Sequence, residues 1–241
     1  MTNISDLDVK IFADGADLQN IRMLYAQPFV KGFTTNPTLM RQAGVNNYKS
    51  FALEVLKVVS DRPVSFEVFA DDIAGMEAQA LEIASWGKNV NVKIPITNTK
   101  GESTAALVER LSAKGVVCNI TAIFTLAQVQ GIVEILNPGT PAILSLFAGR
   151  IADTGVDPVP LLREAVRIAS VKPKAEILWA SPRELLNIFQ ANEVGCHIIT
   201  VTNDVLKKLS CVGKDLTTFS RETVSMFYND AKSAGYTIDL K

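Results

Sequence analysis

The feature of this sequence that most constrains its fold is an alternation, repeated eight times, of short apolar runs with longer amphipathic stretches. The short runs are rich in β-branched and aromatic residues, which favours strands, and the longer stretches carry apolar residues at helical spacing. Strands that alternate with helices form βα units, in which neighbouring strands lie parallel. The predicted strands lie within residues 10–17, 32–38, 64–71, 90–97, 116–124, 141–151, 175–181 and 196–202.

A helix is predicted after each of these strands. Eight successive units in 241 residues favour an α/β fold of the (β/α)8 TIM-barrel type. The competing doubly wound sheet is disfavoured because no strand is followed by a Gly-x-Gly-x-x-Gly turn or a P-loop. The predicted helices lie within residues 18–27, 38–60, 73–87, 102–115, 125–136, 158–171, 182–192 and 204–209.

No linker, repeat array or low-complexity stretch divides the chain, so residues 1–241 are predicted to form a single domain. Residues 216–241 add a C-terminal helical tail beyond the eight units. That extra helix is free to pack across a contact between subunits or to cap its own barrel, and the first alternative makes a homo-oligomer the expected assembly.

The charge and hydropathy of the chain exclude several classes of partner. The net charge is −1, so the sequence has no basic footprint for nucleic acid or an anionic membrane surface. No apolar run is long enough to span a membrane, and the first residues lack the layout of a signal peptide. We therefore expect a cytoplasmic protein that binds small molecules.

Cysteine and histidine are too few for most metal or triad chemistry. Cys118, Cys196 and Cys211 are scattered and odd in number, which argues against a disulfide framework and a zinc cluster. The single histidine, His197, begins a predicted strand and is interpreted as structural. No metal site and no cofactor are expected.

Polar residues fall at a comparable depth, near the carboxyl end, on almost every predicted strand. Enzymes with this fold place their chemistry at that face of the barrel, and charges there are costly unless they are paired or used. These candidate site residues are Asp14, Thr34, Thr35, Asn36, Glu67, Lys93, Asn119, Thr121, Ser145, Arg150, Ser181 and Arg183.

Each candidate also has a purely structural interpretation. Asp14 can be a turn residue or a cap, Asn36 and Ser181 can cap helices before a proline, and Arg183 can be a solvated helix residue. Glu67 can be the ion-pair partner of a buried lysine without any catalytic role. Only the convergence of these residues on one barrel mouth favours a site.

Lys93 is the most informative of them, because it stands at the centre of the apolar strand VNVKIPI. An apolar pocket destabilises the ammonium form of a lysine, and the free amine can then attack a carbonyl. The product is a Schiff base, which allows carbon–carbon cleavage without a metal. Asp14 and Glu67 are carboxylates that can move protons, and Arg150 and Arg183 suit an anionic group.

With these motifs in place, the chain resembles the transaldolase family, in the small-barrel branch that includes fructose-6-phosphate aldolase. The pairing of TTNPT with VKIPIT is the specific part of the resemblance. The matching segments, in order from Ile11 to about Glu184, are FADGAD, GFTTNPTLM, FEV, NVKIPIT, NITAIF, LSLFAGRI and WASPRE.

The resemblance implies a role for each matching residue. Lys93 would form a Schiff base with the C2 carbonyl of a ketose phosphate, and Asp14 would take the proton of the C4 hydroxyl. Glu67 and Thr121 would hold a water that relays protons. The residues implied to bind substrate are Thr35, Asn36, Asn119 and Ser145 at the dihydroxyacetone unit, Phe147 beside it, and Arg150, Ser181 and Arg183 at the phosphate.

Two positions bear on the reaction type and one on the anion. Glu67 and Phe147 stand where the aldolase branch has glutamine and tyrosine, which favours a transaldolase over an aldolase that releases dihydroxyacetone. Pro182 stands where the family has an aromatic residue, so a sulfonated ketose is an alternative substrate. A catalytically silent barrel is disfavoured because it would leave a costly polar set unused.

Overall fold

The computed structural model describes residues 4–240, and within them the predicted (β/α)8 barrel is confirmed. Eight parallel strands pair in chain order, and β8 closes the barrel against β1 with Asp14 opposite Thr202. The strands are β1 (Lys10–Asp14), β2 (Val30–Thr34), β3 (Val64–Glu67), β4 (Val90–Pro95), β5 (Cys118–Ile123), β6 (Ala142–Leu146), β7 (Ala175–Trp179) and β8 (Ile198–Thr202).

The helices follow the strands as the alternation predicts, with short 3-10 turns at Ile4–Asp6 and Lys207–Cys211. Several begin at a polar side chain that accepts a backbone N–H, as Asp72 does from Gly75. The helices are α1 (Leu18–Tyr25), α2 (Pro37–Gln42), α3 (Tyr48–Val58), α4 (Ile73–Ala84), α5 (Ala105–Ala113), α6 (Leu126–Ile135), α7 (Ala148–Ala152), α8 (Pro158–Ala169), α9 (Leu186–Glu193), α10 (Asn203–Leu206) and α11 (Leu216–Ser233).

The single helix predicted over residues 38–60 is wrong, since the structure has two helices there. Gly44 adopts a φ of +71° after α2, a left-handed conformation that suits glycine at the end of a helix. Asn47 then caps α3 by accepting the N–H of Ser50. The break places the first residue of α3 close to β3, which matters for the site.

The predicted sixth strand is too long, because β6 ends at Leu146 and residues 148–152 form the short helix α7. Arg150 therefore lies on a helix, not on a strand. Ala148, Gly149 and Ile151 are buried on that helix. A short buried helix has the same continuous apolar pattern as a buried strand, so periodicity could not separate them.

The helix predicted from residue 182 begins only at Leu186. Ser181 has a φ of 61°, so the chain leaves β7 through a left-handed residue and not through a helix cap. The Asn187 side chain accepts the N–H groups of Arg183 and Glu184 and holds the loop before the helix. The predicted cap by Ser181 before Pro182 is therefore wrong, and α9 begins without a side-chain cap.

The strands are buried on both faces, as expected of a parallel sheet covered by helices. Phe12, Ile143, Leu178 and Ile198 belong to one buried cluster that joins the neighbouring strands β6, β7, β8 and β1. These four residues are at most 4% exposed, so this part of the barrel is a filled core and not a pore.

The structural interpretation of His197 is supported by the structure. Its Nδ1 accepts the N–H of Ile177 at 3.0 Å, just before β8 begins and therefore at the end of the barrel opposite the strand exits. Burial lowers the pKa of this imidazole, which favours the neutral acceptor form.

The C-terminal tail predicted over residues 216–241 contains α11, which Asp215 caps by accepting the N–H of Thr218. The described chain divides into two compact units. One unit consists of residues 4–207 and contains the barrel, and the other consists of residues 208–240. Residues 1–3 and 241 of the predicted domain lie outside the described residues. None of the helices in the described part of the chain is long and apolar enough to cross a membrane.

Candidate active site

A cavity of about 540 Å³ opens at the carboxyl ends of the strands. It is lined by every site residue that the sequence predicted except Thr35, so residues from β1 to α7 and the loop after β7 meet in one place. The predicted residues in its wall are Asp14, Thr34, Asn36, Glu67, Lys93, Asn119, Thr121, Ser145, Phe147, Arg150, Ser181 and Arg183.

Lys93 lies on β4 between Val92 and Ile94, neither of which has exposed surface, and is itself only 7% exposed. Its Nζ donates to the carbonyl of Thr35 at 3.0 Å and lies 3.1 Å from Oε2 of Glu67. The amine is therefore buried and held at two points by polar groups of the cavity wall and its edge.

Glu67 reaches Lys93 because the two residues are directly opposite in the β3–β4 register. The buried ion pair that the structural interpretation allowed is present, with side-chain exposures of 8% for the lysine and 17% for the glutamate. A carboxylate at hydrogen-bond distance can also accept a proton from the amine, so the same contact serves either role.

Asp14 ends β1 and is held by a chain of hydroxyl groups. Thr34 Oγ1 donates to Asp14 Oδ1 at 2.7 Å and is also hydrogen-bonded to Thr200 Oγ1. Burial raises the pKa of this carboxyl, against the lowering effects of Lys93 and the Thr34 hydrogen bond, and Glu67 raises it further. The sequence named Thr34 only by its depth and missed Thr200, since neither its type nor its spacing distinguishes it from any other threonine in a strand.

Thr121 on β5 is 3% exposed, and its hydroxyl has no hydrogen-bond partner among residues 4–240. The next residue, Ala122, has a φ of 58°, and the β5–β6 pairing shifts register between Ile120 and Ile123. This irregular backbone lies beside a hydroxyl that can hold a water or a substrate group.

Asn119 and Ser145 form a polar pair across two neighbouring strands. Ser145 Oγ donates to Asn119 Oδ1 at 2.7 Å, and Asn119 Nδ2 donates to Ser65 Oγ at 3.1 Å. These contacts fix the orientation of the Asn119 amide in the cavity wall. Ser65 is a further residue that sequence reasoning missed.

Asn36 and Thr35 act differently from the other predicted residues. Asn36 Oδ1 accepts the N–H of Leu39 at 3.0 Å, so the predicted cap before Pro37 is present alongside a place in the cavity wall. Thr35 is not in that wall, and it contacts Lys93 through its backbone carbonyl.

The far end of the cavity carries the two arginines. The guanidinium of Arg150 lies over the ring of Phe147, 5.5 Å from its centroid, and Phe124 packs against that ring. Arg183 is paired with Asp153, to which its Nε donates at 3.0 Å, and its Nη1 donates to Ser181 at 3.1 Å.

Asp153 was missed by the sequence, because it follows α7 and lies 30 residues before Arg183. Its hydrogen bond raises the pKa of Arg183, and the guanidinium in turn lowers the pKa of Asp153. Arg183 therefore lies in the loop after β7 and not in a helix, and its exposed side chain forms an ion pair with Asp153. This pair offsets the charge of Arg183, whereas Arg150 forms no ion pair among residues 4–240, although its charge also lowers the pKa of Asp153.

Gly149 allows these two parts of the anion end to meet. A Cβ at this position would lie 1.6 Å from the carbonyl oxygen of Ser181, and the Gly149 N–H lies 3.4 Å from the carbonyl of Ala180. Only a residue without a side chain permits this approach of α7 to the loop after β7.

Comparison with known proteins shows which family this chain matches. Residues 11–239 match the family model described as transaldolase/fructose-6-phosphate aldolase. The chain is 37% identical over 202 residues to a "Probable transaldolase" of Streptococcus agalactiae, covering 83% of this chain and 89% of the relative. A "Probable transaldolase" of Dehalococcoides mccartyi is 35% identical over 202 residues, with 83% and 90% covered.

Solved structures support the fold alone. A protein from Burkholderia cenocepacia J2315, provisionally named a lyase/mutase, superposes with a TM-score of 0.60 at 12% identity, over 95% of this chain and 87% of its own. A second structure from that organism, provisionally named a phosphonomutase, has a TM-score of 0.56 at 13% identity, over 86% of this chain and 95% of its own.

Proposed function

Because the chain belongs to the transaldolase/fructose-6-phosphate aldolase family, we propose that it is a transaldolase that uses Lys93 as its Schiff-base residue. It would move a dihydroxyacetone unit from a ketose phosphate, such as fructose 6-phosphate, to an aldose phosphate. The observation that carries the proposal is the Lys93 amine, which is buried, faces a cavity with a largely polar wall and lies 3.1 Å from a carboxylate.

The first step joins the amine to the C2 carbonyl of the ketose. Nζ adds to the carbonyl carbon, and loss of the resulting hydroxyl group as water leaves the imine. Glu67 accepts a proton from the amine, and a water held by Glu67 and Thr121 returns it to the departing oxygen. The unpartnered Thr121 hydroxyl supports this arrangement.

The second step breaks the C3–C4 bond of the bound sugar. Asp14 takes the proton of the C4 hydroxyl, the electron pair of the broken bond moves into the imine, and an aldose phosphate leaves. The nucleophilic enamine stays on Lys93 until another aldose phosphate binds and the steps reverse. Thr34 orients the Asp14 carboxylate for this transfer through its hydrogen bond to Oδ1.

Binding is divided between the two ends of the cavity. Asn36, Asn119 and Ser145 supply amide and hydroxyl groups to the dihydroxyacetone unit. At the other end, Arg150, which forms no ion pair within the described part of the chain, provides a positive charge for a phosphate, and Ser181 and Arg183 complete the site. The same anion end would accept a sulfonated ketose, since both groups offer negatively charged oxygens.

Phe147 supports transfer over release of free dihydroxyacetone. Its ring contacts Phe124 and the Arg150 guanidinium, and this ring carries no hydroxyl that could protonate the enamine. An enamine that is not protonated at this position remains available for an acceptor aldehyde.

Borohydride reduction in the presence of fructose 6-phosphate tests the Schiff base directly. We expect a reduced three-carbon or six-carbon adduct on Lys93, located by mass spectrometry of peptides. Lys93→Met should give no adduct, whereas Lys88→Met, which removes another lysine close in sequence, should react as the unaltered protein does. Absence of an adduct from the unaltered protein would refute the mechanism.

The choice between transferase and aldolase needs a separate measurement. Fructose 6-phosphate turnover should require an acceptor such as erythrose 4-phosphate. Release of free dihydroxyacetone at a comparable rate without the acceptor would support the aldolase. Replacing the donor by a sulfonated ketose in the same assay tests the alternative anion.

A further inference from the structure

The backbone of Glu67 is bound by a side chain where a sheet neighbour would be expected. The hydroxyl of Tyr48 donates to the carbonyl of Glu67 at 3.0 Å and accepts the N–H of the same residue at 2.7 Å. Tyr48 is the first residue of α3, and Glu67 is the last residue of β3. One phenol thus satisfies both main-chain groups of the residue that pairs with Lys93.

The reason is that the pairing of β2 with β3 does not extend as far as Glu67. Pairing of β2 with β3 covers Phe33 opposite Val64 and Thr34 opposite Ser65, and Thr35 donates its N–H to the carbonyl of Ser65. In a parallel ladder the next bonds would join Glu67 N–H to the carbonyl of Thr35, and the carbonyl of Glu67 to the N–H of residue 37.

Neither of those bonds is part of the β2–β3 pairing, which ends at Thr34 opposite Ser65. Residue 37 is proline and has no N–H, the carbonyl of Thr35 accepts the amine of Lys93, and the N–H of Glu67 donates to Tyr48. The same motif that turns the chain into α2 therefore leaves the end of β3 without its β2 neighbour, although β4 still pairs with it. Unpaired main-chain groups at a partly buried position are costly, so a substitute partner is needed.

We propose that Tyr48 is a positioning residue for the reaction, acting through Glu67 to hold its carboxylate against the Lys93 amine. This inference rests on the proposed function, since it concerns the proton transfers that accompany formation of the Schiff base. A carboxylate on a strand end with two free main-chain groups would sample orientations in which the 3.1 Å contact is lost.

The surroundings of Tyr48 fix its ring, so the hydroxyl is placed independently of the bonds that it makes. The ring centroid lies 4.6 Å from that of Phe69, 5.4 Å from Trp86 and 6.2 Å from Phe66. Burial raises the pKa of the phenol above its usual value, which keeps the hydroxyl protonated and able to donate.

Tyr48→Phe removes the hydroxyl and keeps the ring contacts. We expect the rate of borohydride-trapped adduct formation on Lys93 to fall about tenfold, a partial loss of a general acid–base contribution, with KM for fructose 6-phosphate changed less than about twofold. Tyr25→Phe is the matched control, because it removes a hydroxyl that binds Asp61 at the surface. That control should leave the trapping rate unchanged.

A double substitution separates positioning from general destabilisation. If Tyr48 acts through Glu67, the loss caused by Tyr48→Phe should shrink to less than about twofold when Glu67 is already Gln. An equal loss in both backgrounds would show that Tyr48 does not work through Glu67 and would overturn the inference.

Hydrogen exchange of the Glu67 amide gives a test in the unaltered protein, independent of whether any variant folds or reacts. The amide should be protected by its bond to Tyr48, at least about a hundredfold over an unstructured amide. Rapid exchange would overturn the inference on structural grounds. A protected amide with no trapped adduct would instead refute the proposed function and leave no reaction for Tyr48 to assist.

Discussion

Lys93 shows how one residue can violate the pattern of its own strand. Val92 and Ile94 have no exposed surface, yet the lysine between them is only 7% exposed and carries an amine. Glu67 and the carbonyl of Thr35 compensate its burial. Because removal of one partner of a buried pair leaves the other uncompensated, the site is vulnerable to changes at either residue.

Asp14→Asn should separate activity from stability. We expect transfer to fall by about 10²–10⁴-fold, as for loss of a general base. At neutral pH the free energy of unfolding should rise, by about 0.5–2 kcal/mol as is usual when a strained functional group is removed. Chemical denaturation and a steady-state assay measure the two effects, with the exposed Asp8→Asn as control.

The sign of the stability change follows from the direction of the pKa shift. Burial raises the pKa of Asp14 in the folded state, so between the unfolded and the folded pKa the folded protein binds more protons. Stability therefore falls as pH rises through that window, and Asn removes the effect. A lower stability of Asp14→Asn at neutral pH would contradict the interpretation. In the unaltered protein, the apparent pKa of the acid limb of the pH–rate profile should be higher than the pKa of an ordinary aspartate.

Arg150→Ala should mainly weaken binding of the anionic end of the substrate. Charge-assisted hydrogen bonds contribute about 1.5–3 kcal/mol, so KM should rise by roughly tenfold to a hundredfold. The exposed Arg163→Ala on α8 is the control for loss of one positive charge. A change confined to kcat would argue against an anion-binding role for Arg150.

At the scale of elements, the short helix α7 determines the geometry of the anion end. It carries Arg150 and is followed directly by Asp153, and Gly149 lets it approach the loop that contains Ser181 and Arg183. The helix is only five residues long, so its position depends on these contacts and not on its intrinsic stability.

Gly149→Ala should therefore displace α7 or the loop after β7. A Cβ 1.6 Å from a backbone oxygen cannot be accommodated without movement, and overpacking of this kind costs about 1–3 kcal/mol. We expect a lower thermal midpoint together with a higher KM. Gly131→Ala in α6 has open space around it and should stabilise the protein by up to about 1 kcal/mol; equal effects of the two changes would contradict the assigned close approach.

At the scale of the whole molecule, a homo-oligomer remains the expected assembly. The helix α11 has no buried residue and exposes Leu216, Phe219, Met226 and Phe227. Large exposed apolar groups commonly mark contacts between proteins. Sedimentation equilibrium should give a mass that is a multiple of 26.1 kDa, and a monomer at micromolar concentration would contradict the prediction.

The sequence alone was enough to determine the barrel and most of its cavity wall. Eight successive βα units predict a closed barrel of parallel strands, and in such a barrel the carboxyl ends of all strands lie on one face. Lys93 and Asp14 could therefore be assigned to a common site by depth along their strands. Residue type and position along the strand are local properties that the printed sequence contains.

Only the tertiary structure decided how those residues are held. Tyr48 contacts Glu67 because the helical stretch after β2 is divided at Gly44 and because the β2–β3 pairing ends before Pro37. Asp153 contacts Arg183 because residues 148–152 form the helix α7, where a strand was predicted. The backbone carbonyl of Thr35, not its side chain, binds Lys93. These contacts join residues that are far apart in sequence, and their geometry depends on where loops end and which main-chain groups lack partners.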